Sequence, residues 1–475
     1  MISELRPYPV MKHSSVPWLG DVPLHWDVLP NRALFSEVKE RNQPDVDLLS
    51  VTITKGVIRQ SDLLSDSSKK DSSNQDKSAY KVVRPGDIAY NKMRAWQGAV
   101  GVSEYAGIVS PAYVVERPRK GVDPRYVHYL LRTPAFAKEA ERWSYGITSD
   151  MWSLRPEHFK MIYACLPPLP EQAAIVRFLD HADGKIRCYI RNKQKLIKLL
   201  EELKQASIHL AVTRGLISSV ALRDSGIPWL GEIPTHWEAR KMRSIASRVT
   251  KGTTPTTIGR EFAESGIRFI KVESISNERS IIDAKCAYID EVTDRLLKRS
   301  RLRAGDVVVS IAGAIGRPAV VSESMLPANT NQAVAIVSPL LFLCRSEWLA
   351  YCLSSPMCSR SMSESSVISA QANLSLANLG RTVIPLPPLH SQDEILKAIS
   401  EDIGGIRASI AAVVREISLL REYRTRLIIE VVTGKLDVRE AAAHLPDIGQ
   451  SHDVMEEWES DDDSECNEDK SQEAD

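Results

Sequence analysis

The sequence predicts an α+β protein in which two mixed α/β domains are separated by two long antiparallel helices, as a pseudo-two-fold internal repeat. Three observations predict it. A set of short motifs occurs twice in the same order. The text inside each set mixes strand-like runs with Gly/Pro turns. The text beyond it carries an apolar heptad seam, at a matching offset in both copies.

The opening motif is Val16-Pro17-Trp18-Leu19-Gly20, followed by Pro23 and His25-Trp26. It returns 211 residues later as Ile227-Pro228-Trp229-Leu230-Gly231, with Pro234 and His236-Trp237. A second motif, Leu166-Pro167-Pro168-Leu169 with Gln172 and Ile175, returns at an offset of 220 as Leu386-Pro387-Pro388-Leu389 with Gln392 and Ile395. A third, Val212-Thr213-Arg214-Gly215-Leu216, returns at the same offset of 220 as Val432-Thr433-Gly434-Lys435-Leu436. Three motifs in register are a duplication. At 210–220 residues, each copy is too long for a solenoid repeat.

The interiors diverge. In the first copy the strand-like runs are Lys81-Val82-Val83, Asp87-Ile88-Ala89-Tyr90 and Ala112-Tyr113-Val114-Val115, with a helix expected over 127–142. In the second they are Arg268-Phe269-Ile270-Lys271-Val272, Asp306-Val307-Val308-Val309-Ser310-Ile311 and Ala333-Val334-Ala335-Ile336-Val337, with a helix near 347–354. One interior position aligns: Pro85-Gly86-Asp87-Ile88 with Ala304-Gly305-Asp306-Val307, where Gly-Asp signals a turn before a strand.

Beyond the second motif, residues 183–211 hold only Gly184 as a breaker. The seam there is Ile186, Ile190, Lys193, Ile197, Leu200, Lys204, Ser207 and Ala211. Its counterpart is Ile406, Ile410, Val413, Ile417, Leu420, Arg424, Leu427 and Val431. Helices sharing a period can pair antiparallel; alternatively, each stripe packs on its own globule. A helix of about 28 residues would span roughly 42 Å. Lys193 and Ser207 weaken the first seam, and Lys204 and Arg424 are expected to snorkel to its rim.

The net charge of zero conceals an uneven distribution. Residues 453–475 contain 12 acidic side chains and one lysine, leaving 60 basic against 49 acidic residues in 1–452. A moderately basic body suits a polyanionic partner, and the tail over 446–475 is expected to be disordered. The seven cysteines form no C-x-x-C pair and no zinc-finger spacing, so free thiols in a reducing cytoplasm are expected. Neither a signal-peptide core nor an apolar run of membrane-spanning length is present, which predicts a cytoplasmic protein with no membrane partner.

Catalytic text is sparse. The sequence has no phosphate-binding G-x-x-x-x-G-K-[ST], no dinucleotide G-x-G-x-x-G after a strand, no amino-methyltransferase N-P-P-[FY] and no H-E-x-x-H. Asp27 with Glu37-Val38-Lys39 fits a nuclease pattern loosely, but Glu202-Leu203-Lys204 fits it as well from within a seam helix. His25 and His236 each sit beside a tryptophan in a Pro-rich entry segment, which favours a structural role. No catalytic residue, metal site or cofactor is therefore assigned. Two other classes stay open: a self-contained two-headed nuclease or methyltransferase, and a coiled-coil protein-binding scaffold.

These motifs, in this order and twice over, resemble the specificity subunits of Type I restriction-modification systems. The likeness covers roughly residues 15–437. The first half resembles one subgroup through Asn91-Lys92-Met93-Arg94-Ala95-Trp96-Gln97-Gly98 and Ile108-Val109-Ser110-Pro111-Ala112-Tyr113. The second resembles another through Lys251-Gly252-Thr253-Thr254-Pro255, Gly313-Ala314-Ile315-Gly316-Arg317 and Asn329-Thr330-Asn331-Gln332. His390-Ser391-Gln392 departs from the Pro170-Glu171-Gln172 of the first half, which is expected to alter the helix start locally. The resemblance implies target recognition domains over 15–168 and 217–388, a central spacer helix region over 169–216 and a C-terminal one over 389–437. It also implies a non-catalytic subunit that binds an asymmetric, bipartite site on double-stranded DNA. Such a subunit docks two methyltransferase subunits and the restriction subunits, and those partners use S-adenosylmethionine, ATP and magnesium.

Reading base edges needs Arg, Lys, Asn, Gln or Thr on loops beside the groove. The candidates in the first half are Lys92, Arg94 and Gln97 near Trp96, and Tyr145 and Ser149 (with Asp150) before Trp152. In the second half they are Lys251, Thr253, Thr254, Asn331, Gln332, Ser369, Gln371 and Asn373. Turn chemistry is the competing explanation for each.

Overall fold

Runs such as Val114-Val115 and Val307-Val308-Val309 are β-branched, stiff at χ1 and fully buried, which suits them to interior strands. The computed structural model describes residues 5–41, 43, 46–65, 77–146, 152–217, 219–364 and 373–446. The chain divides into two units: Met1–Lys193 with Arg415–Asp475, and Gln194–Val414.

In the first unit an antiparallel four-stranded sheet has the order Phe35–Glu37, Tyr113–Pro118, Ile88–Asn91, Val100–Val102. The second unit repeats it with Ala246–Lys251, Val334–Pro339, Val307–Ser310 and Pro318–Val320. Two ribbons recur beside each sheet. Met11–His13 pairs with Asp21–Pro23, and Asp27–Pro30 with Tyr163–Leu166. Their counterparts are Leu222–Asp224 with Glu232–Pro234, and Glu238–Lys241 with Val383–Leu386. The second unit adds a three-stranded sheet of Ala287–Ile289, Ile267–Ile270 and Ala328–Thr330. The duplication thus holds at the level of topology.

The repeated motifs are structural. In Pro-Trp-Leu-Gly the glycine closes a turn at positive φ, 63° at Gly20 and 61° at Gly231. Trp26 and Trp237 are buried in their units' cores. Gln172 accepts from the Asp123 N–H (2.7 Å) and donates to the carbonyls of Gly121 (2.9 Å) and Pro167 (2.8 Å). Gln392 repeats the pattern with Arg345 N–H (2.9 Å), Leu343 (2.8 Å) and Pro387 (2.9 Å). A buried amide with its oxygen and nitrogen both engaged pins each long helix to its own domain. The shared Gly-Asp is the turn it was read as: Asp87 accepts from Arg84 N–H at 3.0 Å and Asp306 from Arg303 N–H at 2.8 Å.

Two expectations are corrected. The single helix over 127–142 is two, Pro124–Leu131 and Pro134–Arg142. Pro134 cannot continue a helix, and the Thr133 hydroxyl caps the new start by accepting from Phe136 N–H at 3.2 Å. The long helices, Leu169–Arg214 and Leu389–Val432, contain 46 and 44 residues against the roughly 28 expected. Both begin at the leucine that ends the Leu-Pro-Pro-Leu motif, so His390-Ser391 does not displace the second start.

Within each unit the helical segments pair antiparallel. In the first, Asp183 bonds Arg424, and Lys193 meets Glu416 at 2.9 Å. There Ile186, Leu427 and Val431 share one core. In the second unit, Ile208, Ala211 and Val212 share a core with Ile395, Ile399 and Ile403. Every residue of both expected seams is buried or half-buried. Lys204 does not snorkel, whereas the Arg424 side chain stays 35% exposed at the rim. Lys204 is only 2% exposed, held by Glu201 (2.5 Å) and Glu278 (2.7 Å), and the buried Asp183 engages Arg424. A loop carboxylate that reaches the seam satisfies the ammonium internally.

Where Ser391 stands in the second unit, the first has Glu171, a nearly buried carboxylate. It accepts from the Tyr8 hydroxyl, from Trp26 Nε1 (3.0 Å) and from His25 Nε2 (2.8 Å). His25 is thereby a structural partner. No helix among the described residues is long and apolar enough to cross a membrane. Cys344, Cys352 and Cys358 lie in the second unit's core, where burial pushes the thiols of Cys344 and Cys358 up to about 12.

Candidate nucleic-acid interface

In each unit the candidate residues fall on loops at strand ends. The first unit's chain leaves strand Ile88–Asn91 at Lys92, turns through a short 3-10 helix, Ala95–Gln97, and returns as Val100–Val102. The Asn91 side chain accepts from Met93 N–H at 3.0 Å, an Asx turn that starts the loop. Trp96 Nε1 donates to the Met93 carbonyl at 2.9 Å, folding the indole over it. Arg94 and Gln97 are exposed, while Lys92 is half-buried.

The second loop comes to the first. Leu154 N–H donates to the Lys92 carbonyl at 2.9 Å, and the rings of Trp96 and Trp152 meet edge-on at 5.4 Å. Tyr145 pairs with Ser153 and is 59% exposed. Lys92, Arg94, Gln97 and Tyr145 therefore border one aromatic-centred surface. Ser149 and Asp150 lie outside the described residues. Lys81, beneath this surface, donates to the Tyr113 carbonyl at 2.8 Å. Burial, and then the neighbouring charge of Lys92, lowers its ammonium from the usual lysine range. Tyr113 is pushed up by burial against the opposing pull of a backbone hydrogen bond at Val51 and the charge of Arg94.

The second unit uses different edges of the same sheet. Lys251 ends its outer strand, opposite Ala335. Gly252 N–H reaches the Val334 carbonyl at 3.4 Å, and Thr253 and Thr254 lead into the 3-10 turn Pro255–Ile258. Asn331 and Gln332 form the turn before Val334–Pro339, where Asn331 Oδ1 accepts from Ala333 N–H at 3.1 Å. That bond commits the Asn331 oxygen to the turn. Asn373 bridges Ala312, Leu374 N–H donates to Ile311 (2.8 Å), and Ile311 N–H to Ala333 (2.8 Å). Lys251, Thr253, Asn331, Gln332 and Asn373 thus belong to one cluster of loops. Ser369 and Gln371 lie outside the described residues.

The loose nuclease pattern has other employment. Glu37 pairs with Lys160 at 2.9 Å, and its carboxyl is held below the usual range by Lys160 although burial opposes this. Sequence reasoning missed Gly252. A glycine between a strand end and a Thr-Thr-Pro turn was the available signal of close backbone approach.

Residues 234–407 match the Type I restriction modification DNA specificity domain. That matched stretch lies within the second unit. The EcoBI Type I restriction enzyme specificity subunit of Escherichia coli is 28% identical over 248 residues, 50% of this chain and 50% of that protein. The protein named "Putative type I restriction enzyme MjaX specificity subunit" of Methanocaldococcus jannaschii is 26% identical over 188 residues, 36% of this chain and 40% of that one. The chain thus spans about half the length of the relatives it matches, or less. A solved structure from work on assembly and conformational transition of the type I R-M system superposes with a TM-score of 0.65. It covers 87% of this chain and 99% of its own at 17% identity, a likeness of fold. The region matched by the family model contains every second-unit candidate.

Proposed function

We propose that this chain is the DNA sequence-specificity subunit of a Type I restriction-modification complex, reading an asymmetric, bipartite site on double-stranded DNA with one loop cluster per unit. Two methyltransferase subunits and the restriction subunits dock on it. They supply the chemistry and use S-adenosylmethionine, ATP and magnesium, while this subunit is non-catalytic and works in the cytoplasm. One observation carries the reading: the same four-stranded sheet occurs twice, with unlike polar loops at its strand ends. Like frames with unlike loops suit a reader of two different half-sites. Lys92 and Arg94 meet phosphate or guanine, Gln97 and Gln332 can pair with adenine, and Thr253 and Thr254 can contact either base edges or thymine methyls.

The experiment is a map of methylated adenines in the host by single-molecule sequencing, with this chain intact, deleted and carrying Arg94→Ala. A bipartite motif should vanish on deletion. Arg94→Ala should relax one half of the motif and weaken binding by about 1–3 kcal/mol. Methylation unaffected by deletion of the chain would end this reading.

A further inference from the structure

We infer that Gly252 is the positioning residue of the second unit's reading surface. It fixes the loop 251–254 against the turn 330–332 by a backbone approach that only glycine permits. This rests on the DNA-reading role proposed above and deepens it.

A Cβ built on Gly252 would lie 1.8 Å from the Thr330 carbonyl oxygen, 2.3 Å from its carbon and 2.5 Å from the Asn331 oxygen. All three are backbone atoms, so no side-chain rotation relieves the overlap. The backbone on the far side is clamped. Thr330 is fully buried, and its hydroxyl donates to the Ile270 carbonyl at 2.8 Å. Asn329, also fully buried, donates from Nδ2 to Asp294 (3.0 Å) and to the Leu297 carbonyl (3.2 Å). Its Oδ1 accepts from Thr330 N–H at 2.9 Å. The strand Ala328–Thr330 is also held by Ile267–Ile270. The firm partner is therefore 329–330, and the part that must yield to a side chain at 252 is the loop carrying Lys251, Thr253 and Thr254.

Moving that loop by the ångström or more needed would separate its side chains from Asn331 and Gln332. Reading by paired donors tolerates little misplacement, and the loss of one good base contact is about tenfold. Gly252 contacts no base itself in this scheme. The first unit meets no such demand at the equivalent strand end, because its candidates sit in the loop after Ile88–Asn91 instead.

The test compares Gly252→Ala, Thr330→Val, Lys251→Ala and Arg94→Ala in the full chain, by the host methylation map and by melting of the purified chain. Thr330→Val is near-isosteric and removes only the hydroxyl that clamps the turn. The expected result is that Gly252→Ala lowers methylation of the parental motif about tenfold and makes one half degenerate. That half should be the one relaxed by Lys251→Ala, with the Arg94-dependent half still read. Thr330→Val should relax the same half more weakly. If Gly252→Ala does not fold, Thr330→Val decides. Unchanged stringency in every folded variant, or equal relaxation of both halves, would overturn the inference. A wild-type chain whose deletion leaves the methylation map unchanged would instead defeat the DNA-reading role on which it rests.

Discussion

Glu116 is fully buried in the central strand Tyr113–Pro118, and among the described residues neither carboxyl oxygen has a hydrogen-bond partner. Burial raises it from an ordinary 4.5 to about 7, with Lys160, Lys81 and Arg119 pulling it down and Glu37 pushing it up. A folded-state value above the unfolded one means that the native protein binds the extra proton. The contribution of this group to stability is then fully present below about pH 4.5 and is lost as pH rises to about 7, levelling beyond it. At 1.36 kcal/mol per unit, the full loss is on the order of 3 kcal/mol. Glu116→Gln imitates the neutral acid and escapes it. The variant should exceed the wild type by under about 1 kcal/mol at pH 5 and by about 3 kcal/mol at pH 8.5. Hydrogen exchange of the Tyr113–Pro118 amides reads this locally, as a wild-type-to-variant ratio that removes the intrinsic pH effect. The ratio should approach the order of 100-fold at pH 8.5 if that strand exchanges by unfolding of its unit. A ratio that stays constant from pH 5 to pH 8.5 would refute the reasoning.

Further outcomes follow from the buried charges at Glu171 and at the seam. Glu171→Gln removes the charge that Tyr8, His25 and Trp26 share, and should cost the first unit about 2 kcal/mol in a denaturant melt. Ser391→Ala, at the equivalent place in the second unit, should cost less than about 0.5 kcal/mol. At the seam, Glu278→Ala leaves the buried Lys204 with Glu201 alone and should cost about 2 kcal/mol, below the range for a fully buried pair because Glu278 is partly solvated. Lys204→Met should stay within about 1 kcal/mol, since it removes the buried charge and leaves carboxylates that reach solvent. Burial opposes ionisation of Glu278, yet hydrogen bonds from Lys204 and Arg407 hold its carboxyl down to about 2. Its contribution should therefore be intact above about pH 4.5 and lost as pH falls toward 2, seen as a wild-type acid transition that Glu278→Ala flattens.

The frame was legible because its text is local. A positive-φ glycine, a buried tryptophan and a glutamine with three backbone partners leave short signatures that repeat with the chain. The helix seams were legible for the same reason, as period and burial coincide along one element. Helix length was not, because Gly184 read as a breaker although Asp183, Ile186 and their partners sustain the helix through it. The fates of Lys204 and Glu171 were illegible for a different reason. Each depends on a residue distant in sequence: Glu278 lies 74 positions from Lys204, and Tyr8 lies 163 from Glu171.

The candidate interface was legible by residue type and not by placement, and the comparison of the two units explains why. Strands Ile88–Asn91 and Val307–Ser310 occupy the same place in the same sheet, and their interior side chains are bound by packing. The loops that follow are not so bound. After Asn91 the text is Lys92-Met93-Arg94-Ala95-Trp96-Gln97; after Ser310 it is Ile311-Ala312-Gly313-Ala314-Ile315-Gly316. The second loop carries a single charged side chain, Arg317 at its far end, and further polar residues stand at Lys251 and in the turn 331–332. Which edge carries the donors is thus free to change while the sheet persists. The costs of that freedom fall on backbone contacts between loops, and Gly252 is where the second unit bears them. A polar residue on a loop of such a protein signals a reader only once the neighbouring backbone that aims it is known.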